Sequence, residues 1–284
     1  MSVLLEIPDG DPYWLSPDLW TVPGLDPEGA PGTPVAGKTC YLWARVTNNG
    51  SSAVENATVR FYWANPSVGF NHTTANLVGT SFVSLGPGET KDVLCLTPWV
   101  PEYVNEGHEC ILGEAFHTSL DPLPASPEFN VSIDRHVAQR NISVVREFQG
   151  MFQMAFEVHN PERKARKFNI MARQDDLGRI KNLIRHLGPE LELPPGQGKA
   201  FNFRFGTSPC PKEEEIKDAK ELIKGIELKP NQRVGLTLVG AIKGGPSIIH
   251  IEQKVEDRII GGLSVLVLPE RTLGKKDKIG GKES

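Results

Sequence analysis

The sequence lacks a basic excess and a long hydrophobic run. Its 31 Lys and Arg residues face 35 Asp and Glu residues, and the formal net charge is −4. No long-range attraction to nucleic acid or to an anionic membrane follows from this balance. The first residues have no basic region followed by an apolar core, so they do not resemble a secretory signal. We expect no nucleic-acid partner, no membrane insertion, and a cytoplasmic location or export by a signal-independent route.

Cysteines are also scarce, with four in 284 residues. They are too widely spaced for a disulfide-stapled scaffold or a CxxC zinc pair. Cys40 and Cys110 fall in predicted strands that a sandwich could bring face to face. This leaves two alternatives open, one buried bridge or two buried thiols, and the missing secretory signal favours the thiols.

Familiar catalytic motifs are absent. The chain has no GxSxG elbow, Walker loop, GxGxxG segment or HExxH sequence, which predicts a protein that is not an enzyme and needs no cofactor. A triad assembled only by folding stays open as an alternative. His108, Cys110, His117 and Asp121 are metal-ligand residue types, but alternation along a strand would turn His117 away from the first two, so we expect no metal site.

Turn residues and alternating strands are abundant instead. The chain contains 28 Gly and 23 Pro residues. Apolar and polar residues alternate in CYLWARVTNNG (40–50), ATVRFYWANP (57–66) and MFQMAFEVHNP (151–161), and each segment ends in a turn signal. Strands recurring about every ten residues are typical of β-sandwiches. The length suits two such domains.

Three short segments recur between the halves. The matched pairs are 46–48 with 158–160, 85–89 with 193–197, and 131–142 with 249–260. Offsets that drift between pairs are expected of two copies with unequal loops. We therefore predict an all-β chain of two tandem immunoglobulin-like β-sandwiches. The predicted parts are an N-terminal extension (1–11), a first sandwich (12–140), a second sandwich (141–270) and a disordered basic tail (271–284).

Two amphipathic helices are predicted as insertions in the second sandwich. The first spans 177–188 and the second 211–225, each with apolar residues at three- and four-residue spacing. Two interpretations remain for these helices. They cover exposed sheet edges, or they form a surface that docks a partner.

Aromatic residues are concentrated in the first half, which holds all five tryptophans. Trp14, Trp20 and Trp99 lie near Pro-rich loops, which leaves an exposed position open for them, whereas Trp63 alternates with core positions. Exposed tryptophans stack sugars or anchor a protein partner, and the alternative is that they plug the ends of the sandwich. The predicted partner-contact residues are Trp14, Trp20, Trp99, Ile180, Ile184 and Leu187.

The first half resembles the CARDB-like family of bacterial Ig-type domains, which are related to cell-adhesion domains. The matching pieces are SPDLW (16–20), ARVTNNG (44–50), FYWANPSVG (61–69), LGPGE (85–89) and His108-x-Cys110. The resemblance covers most of residues 12–145, and the second half shares only its generic pieces. It implies a seven-stranded sandwich that serves as a spacer, adhesive or accessory module in larger surface and secreted assemblies, and therefore an extracellular or surface location.

These observations predict a structural or adhesive interaction protein. Its expected partners are protein subunits, including further copies of itself joined through exposed strand edges. One alternative is an accessory module that binds a carbohydrate or a protein ligand. A second is an enzyme whose site no motif reveals.

Overall fold

The computed structural model describes residues 2–64, 72, 75–102, 110–125, 129–160, 162–188, 191, 193, 195–206 and 222–270. Within these residues the chain is built almost entirely of strands. The strands are β1 (Leu5–Glu6), β2 (Leu19–Pro23), β3 (Cys40–Asn48), β4 (Val54–Ala64), β5 (Asn76–Leu85), β6 (Thr90–Leu94), β7 (Cys110–Phe116), β8 (Val137–Arg140), β9 (Ile142–Arg146), β10 (Met151–His159), β11 (Arg166–Asp175), β12 (Lys199–Gly206), β13 (Leu222–Leu228), β14 (Arg233–Lys243), β15 (Ser247–Val255) and β16 (Arg258–Leu268).

The first eight strands form two antiparallel sheets. In one, β3 pairs with β1 and β2 and also with β6, and the other has the order β5-β4-β7-β8. The alternation predicted for residues 40–48 is observed, because every second residue of β3 is buried. Leu42, Ala44 and Val46 join Val59 and Phe61 of the facing sheet in one hydrophobic core.

The last eight strands form a second pair of sheets. One has the order β10-β14-β12, and the five-stranded sheet has the order β13-β11-β15-β16-β9, in which β16 and β9 are parallel. Their facing sides bury a separate core that includes Phe156, Phe168 and Val265. One residue, Asn141, separates β8 from β9 and therefore the two pairs of sheets.

The sheet β5-β4-β7-β8 and the five-stranded sheet are also apolar on the side turned away from these cores. On the outer side of the first half, Tyr62 and Leu112 pack with Phe129 and Val131 from the chain that connects β7 to β8. On the outer side of the five-stranded sheet, Leu266 and Leu268 pack against Trp14 and the apolar residues of 177–188. Strands buried on both faces are continuous apolar runs, and Val265 to Leu268 is one.

The helix predicted at 177–188 is shorter than expected. A 3-10 helix covers Leu177–Ile180, and α1 covers only Lys181–Ile184. Asp176 caps the start by accepting a hydrogen bond from the Gly178 backbone N–H at 2.7 Å. Residues 177–188, which we call the capping segment, supply the missing cover for the five-stranded sheet.

The helix predicted at 211–225 is wrong at its C-terminal end. Residues 211–221 lie outside the described part of the chain, but Leu222 and Ile223 belong to β13 and pair with β11. Gly225 has φ +69° at a register shift in this pairing, where Asn169 accepts a hydrogen bond from its backbone N–H, and it is not a helix cap. A short apolar run of this kind fits the periodicity of a helix as well as that of a strand. Its pairing with β11 makes it a strand here.

The predicted alternatives for the cysteines are resolved in favour of thiols. Cys40 and Cys110 are both buried, and no bridge joins them. Cys40 lies in the core between the two sheets, whereas Cys110 lies among residues on the outer side of its sheet. The two side chains therefore point to different faces, which rules out a bond between them.

An asparagine at the end of β3 ties three parts of the first half together. The Asn48 Nδ2 donates to the backbone carbonyls of Ser52 at 2.8 Å, Gly86 at 3.1 Å and Leu85 at 3.5 Å. Its Oδ1 accepts from the Gly50 backbone N–H at 3.0 Å. The amide thus joins the end of β3, the following turn and the end of β5, while it is completely buried.

The same arrangement recurs after β10. The Asn160 Nδ2 donates to the carbonyls of Lys164 at 2.8 Å, Leu228 at 3.0 Å and Lys229 at 3.2 Å. Its Oδ1 accepts from the Glu162 backbone N–H at 3.1 Å. The match predicted between residues 46–48 and 158–160 therefore corresponds to two asparagines with equivalent hydrogen bonds.

The partner predicted for residues 85–89 is wrong. Their structural counterpart is 228–232 and not 193–197. The Glu89 carboxylate accepts a hydrogen bond from the Gly86 backbone N–H. In the same way, the Gln232 side-chain oxygen accepts a hydrogen bond from the Lys229 backbone N–H. The Leu-x-Pro-Gly pattern of 193–197 is a common turn sequence, so it matched by chance.

The third predicted match also fails. In the segment 131–142 the only strand before Ile142 is β8, the last strand of the first half. In the segment 249–260 most residues belong to β15, the second-last strand of the second half. Apolar alternation in both segments made them look alike, although they occupy different places in the strand order.

We predict that Asn48→Asp destabilises the chain strongly. The change keeps the size of the side chain but replaces its N–H donors with a carboxylate oxygen facing three carbonyls. Leaving these groups unpaired should cost about 2–4 kcal/mol of unfolding free energy, measured by urea denaturation. The control Asn76→Asp, at an exposed site in β5, should leave stability within about 0.5 kcal/mol of the parent. Equal losses in the two variants would contradict this role for Asn48.

Candidate functional site

Five of the six predicted contact residues meet at one place. Trp14, Ile180, Ile184 and Leu187 belong to one apolar cluster on the outer side of the five-stranded sheet. Trp20 packs beside it against His186 of the capping segment. We call this contact between residues 13–20, the capping segment and the outer side of β15 and β16 the junction.

Of the two alternatives for the tryptophans, the exposed position is not observed. Trp14 is 1% exposed, Trp20 7% and Trp99 5%, and Ile180 and Leu187 are buried as well. Trp99 lies apart from the junction and stacks on Trp63 in the core of the first half. The Pro-rich loops around the tryptophans suggested a surface position, but the two halves of the chain cover them. The surface expected to dock a partner therefore contacts the same chain.

Trp14 lies flat against β16 at a glycine. A Cβ atom added at Gly262 would lie 2.6 Å from atoms of the Trp14 ring, which is closer than side-chain packing permits. The indole Nε1 donates a hydrogen bond of 2.9 Å to the Ser264 Oγ. Because Gly262 has no side chain, the Trp14 ring can pack directly on β16. The Ser264 hydroxyl, two residues later, accepts the hydrogen bond of the indole N–H, which is the only donor of the Trp14 side chain.

A buried polar network continues from this hydroxyl. The Ser264 Oγ is 2.7 Å from His250 Nδ1, and His250 Nε2 is 3.2 Å from the Asp175 Oδ2. Because Trp14 donates to the serine oxygen, the serine hydrogen is directed to Nδ1. His250 is then neutral with its proton on Nε2, which it donates to Asp175. Burial, helped by the nearby Arg173 guanidinium, lowers the pKa of His250 to about 4.

Charged side chains close the network at the sheet surface. Arg173 donates to Glu252 at 2.6 Å and to Asp175 at 2.7 Å. Lys254 lies 2.9 Å from the second oxygen of Glu252. Although burial opposes ionisation, the hydrogen bonds from Arg173 and Lys254 hold the pKa of Glu252 below its usual value. Both carboxylates therefore stay ionised and keep His250 oriented.

Asp175, His250 and Ser264 have the connectivity of a serine-hydrolase triad. Two features separate them from a working one. The serine is bonded to Nδ1 and the aspartate to Nε2, the reverse of the usual arrangement, and Ser264 and His250 are buried beneath Trp14. A substrate carbonyl could reach Ser264 only after Trp14 had left. In the described structure the three residues support the junction.

Arg140 links the halves by hydrogen bonds from one guanidinium. Its NH1 donates to the Leu19 carbonyl at 3.1 Å and its NH2 to the His186 carbonyl at 2.8 Å. Burial lowers the pKa of Arg140 to about 10, so the side chain remains charged at neutral pH. Asn141 adds a bond of 3.0 Å to the Gly262 carbonyl. Arg140 at the end of β8 and Asn141 directly after it thus contact both halves.

His186 is the aromatic contact of the capping segment. Its ring stacks on Trp20 with centroids 5.1 Å apart, and Trp20 stacks on Trp43 at 5.9 Å. Burial lowers the pKa of His186 to about 4, helped by the positive charges of Arg140 and Arg185. A neutral imidazole suits this apolar stack, because a charged one would face two guanidinium groups.

Sequence reasoning missed most of these residues. Ser264, His250, Gly262 and Arg140 belong to no motif, and Trp14 is 250 positions from its serine partner. The apolar spacing in 177–188 and the tryptophans at positions 14 and 20 were the sequence signals that pointed to this site.

The residues considered as metal ligands are not brought together. His108 lies outside the described residues. His117 Nδ1 accepts backbone hydrogen bonds from the turn that follows it, whereas the Asp121 carboxylate accepts one of 2.6 Å from the Leu5 backbone N–H. Cys110 is buried among apolar side chains. Within the described ranges, no group of three His, Cys, Asp or Glu side chains is placed to hold a metal ion.

In the described part of the chain, no helix has the length and apolar character needed to cross a membrane.

Comparison with known proteins gives partial structural likenesses. No family model matches the chain, and no curated protein matches it. The CARDB domain of a Pyrococcus furiosus protein, solved with two metal ions, aligns with 45% of this chain and 88% of its own at 25% identity and a TM-score of 0.28. A solution structure of that domain gives 20% identity over 43% of this chain and 90% of its own, with a TM-score of 0.27.

A red sea bream transglutaminase aligns with 89% of this chain but 31% of its own, at 10% identity and a TM-score of 0.24. At such TM-scores these alignments assign neither fold nor activity. The strand pairing of the chain itself defines its architecture.

We predict that Gly262→Ala destabilises the chain by about 1–3 kcal/mol, because the new methyl group would displace the rigid Trp14 ring. Gly235→Ala is the matched control, since this β14 glycine has open space where its Cβ would lie. Urea unfolding followed by tryptophan fluorescence measures both. A loss from Gly235→Ala as large as that from Gly262→Ala would contradict the assigned contact.

We also predict that acid weakens the fold through His250. The pKa of His250 is about 4 in the folded chain and about 6.5 in the unfolded chain, so the unfolded chain takes up the proton first. The stability that the neutral His250 provides is therefore fully present above pH 6.5 and is lost as the pH falls toward 4. Between pH 7 and 5 the loss should be on the order of 2 kcal/mol, measured by urea unfolding at each pH. The variant His250→Gln should show a shallower pH dependence, and an unchanged slope would disprove the assignment.

Proposed function

We propose that the chain is a non-enzymatic interaction module made of two tandem Ig-like sandwiches. In the first half, a sheet of β1/β2, β3 and β6 faces a sheet of β5, β4, β7 and β8, which corresponds to the strand arrangement of Ig-type sandwiches. The second half also pairs two sheets, one of three strands and one of five. The equivalent bonds of Asn48 and Asn160 support a common plan for the two halves.

The junction makes the two halves one rigid body. The linker is a single residue, and Trp14, Arg140 and Asn141 each contact both halves through buried hydrogen bonds. Relative motion would leave these polar groups unpaired in an apolar environment, which is costly. A spacer or scaffold requires this kind of stiffness, and this is the observation that supports a structural role most directly.

An edge strand of the first half offers a route to assembly. β5 is the end strand of its sheet and has a strand partner only on the β4 side among the described residues. It is ten residues long and carries no charged side chain, while Leu77 and Phe82 are 57% and 65% exposed. By contrast, the neighbouring edge strand β6 carries Lys91 and Asp92. Charges of that kind oppose edge pairing, and β5 has none.

We therefore propose that β5 pairs with β5 of a second copy. Antiparallel pairing about a two-fold axis would join two four-stranded sheets into one and would place the same apolar side chains on both sides of the contact. The two β5 strands have no charged side chain of their own, and the Lys91 Nζ of β6, which donates to the Ser84 carbonyl at 2.8 Å, would leave this edge on pairing. Larger assemblies are then built from such dimers.

The test is the oligomeric state of the purified chain over a range of concentrations. Light scattering after size-exclusion chromatography should show association that rises with concentration. Phe82→Lys should weaken it about tenfold or more, because it places a charge on the pairing edge. Phe148→Lys is the matched control, since Phe148 is 67% exposed but lies in the turn before β10. A parent chain that stays monomeric, or equal effects of the two variants, would refute assembly through β5.

A further inference from the structure

Charge is divided unequally between the two halves of the chain. Residues 1–140 contain 6 Lys and Arg residues and 16 Asp and Glu residues, whereas residues 141–284 contain 25 and 19. The formal charges of the two parts are therefore −10 and +6, which agree with the −4 of the whole chain. The small net charge is thus the difference between two halves of opposite sign.

The positive charge of the second half is concentrated at one end of its sandwich. Residues 162–167, between β10 and β11 and at the start of β11, and residues 227–233, between β13 and β14, contain six cations and two carboxylates. We call these two segments the basic end. Its cations are Arg163, Lys164, Arg166, Lys167, Lys229 and Arg233. The neighbouring turn at 254–258 is balanced, with two cations and two carboxylates.

The fold holds the two segments of the basic end together. The Asn160 Nδ2 donates to the carbonyl of Lys164 at 2.8 Å and to that of Lys229 at 3.2 Å, so these two backbones lie side by side. The pairing of β11 with β13 also places residues 166–167 opposite 227–228. The cations therefore belong to one surface and not to two independent loops.

Most cations of the basic end have no countercharge. Arg166 lies 2.7 Å from Glu162, and Arg233 lies 3.5 Å from Glu157. The remaining four are exposed and form no ion pair within the described part of the chain, namely Arg163, Lys164, Lys167 and Lys229. Like charges collected at one place repel one another, and a negatively charged partner would remove this repulsion.

We propose that the basic end binds the acidic first half of a second copy of the chain. The charges are complementary, and the basic end takes no part in the junction, so it is open to another molecule. Each copy carries one basic end and one acidic half. The contact therefore joins two different surfaces, and it can repeat from copy to copy in a head-to-tail chain. This inference goes beyond the proposed β5 pairing and does not rest on it.

Salt distinguishes the head-to-tail contact from β5 pairing. Raising the salt concentration from about 0.1 M to about 1 M shortens the Debye length from about 10 Å to about 3 Å. The attraction between opposite halves is then screened, so the head-to-tail contact should weaken. Pairing through β5 brings two acidic first halves together, and screening of their repulsion should strengthen it.

The first experiment is sedimentation velocity on the full chain carrying Phe82→Lys, which disables the β5 edge. This variant should still associate at about 0.1 M salt, and about tenfold or more weakly at about 1 M. A monomer at low salt, or equal association at both salt concentrations, would overturn the head-to-tail contact. Association of the parent chain at high salt reports on β5 separately.

The second experiment tests whether the basic end is the surface responsible. In the Phe82→Lys chain, the double variant Lys164→Glu/Lys229→Glu should weaken association at low salt about tenfold or more. The matched control is Lys199→Glu/Lys243→Glu, which changes the net charge equally. Lys199 and Lys243 are exposed register partners at the other end of β14. Circular dichroism checks folding, and equal losses in the two double variants would refute the role of the basic end.

The third experiment identifies the partner surface. Carbodiimide treatment joins lysine amines directly to carboxylates in contact with them, and a mixture of labelled and unlabelled chain separates links between copies from links within one copy. Lys164 or Lys229 should be linked to carboxylates of residues 1–140 in another copy. Links only within one copy, or only to residues 141–284, would contradict the proposal. Binding of heparin by a chain that does not self-associate would also overturn it, since the partner would then be an anionic polymer.

Discussion

Covering the outer side of the five-stranded sheet is the constraint on which the rest of this structure depends. β16 is apolar on both faces, with Leu263 and Val265 turned to the core and Leu266 and Leu268 turned outward. An uncovered outer face would be an exposed apolar patch on the second half. The capping segment and Trp14 remove this patch from water together. The hydrophobic effect that buries this outer face therefore also joins the two halves.

The polar part of that covered face sets the chemistry of the junction. Ser264, His250 and Asp175 lie beside the apolar patch, and each must find a hydrogen-bond partner once Trp14 excludes water. Their mutual bonds satisfy this need and fix the tautomer of the histidine. An arrangement that resembles a catalytic triad thus follows from satisfying buried groups. The reversed histidine nitrogens and the burial beneath Trp14 separate the two roles.

The two halves meet the same requirement in different ways. Both fasten the end of a strand with a buried asparagine, Asn48 or Asn160, and both have one sheet that needs cover on its outer side. The second half is closed by the junction. The first is covered by the chain between β7 and β8, which leaves a cavity on the outer side of that sheet.

The sequence by itself determined the all-strand character of the chain and the buried faces of β3 and β10, because alternation reports directly which side of a strand meets a core. It also identified the apolar side of 177–188. Only the tertiary structure decided that the tryptophans are buried, that Leu222 and Ile223 belong to a strand, and that the capping segment contacts its own chain. The reason is physical. Exposure and pairing depend on residues far apart in sequence, such as Trp14 and Ser264, and local periodicity carries no information about them.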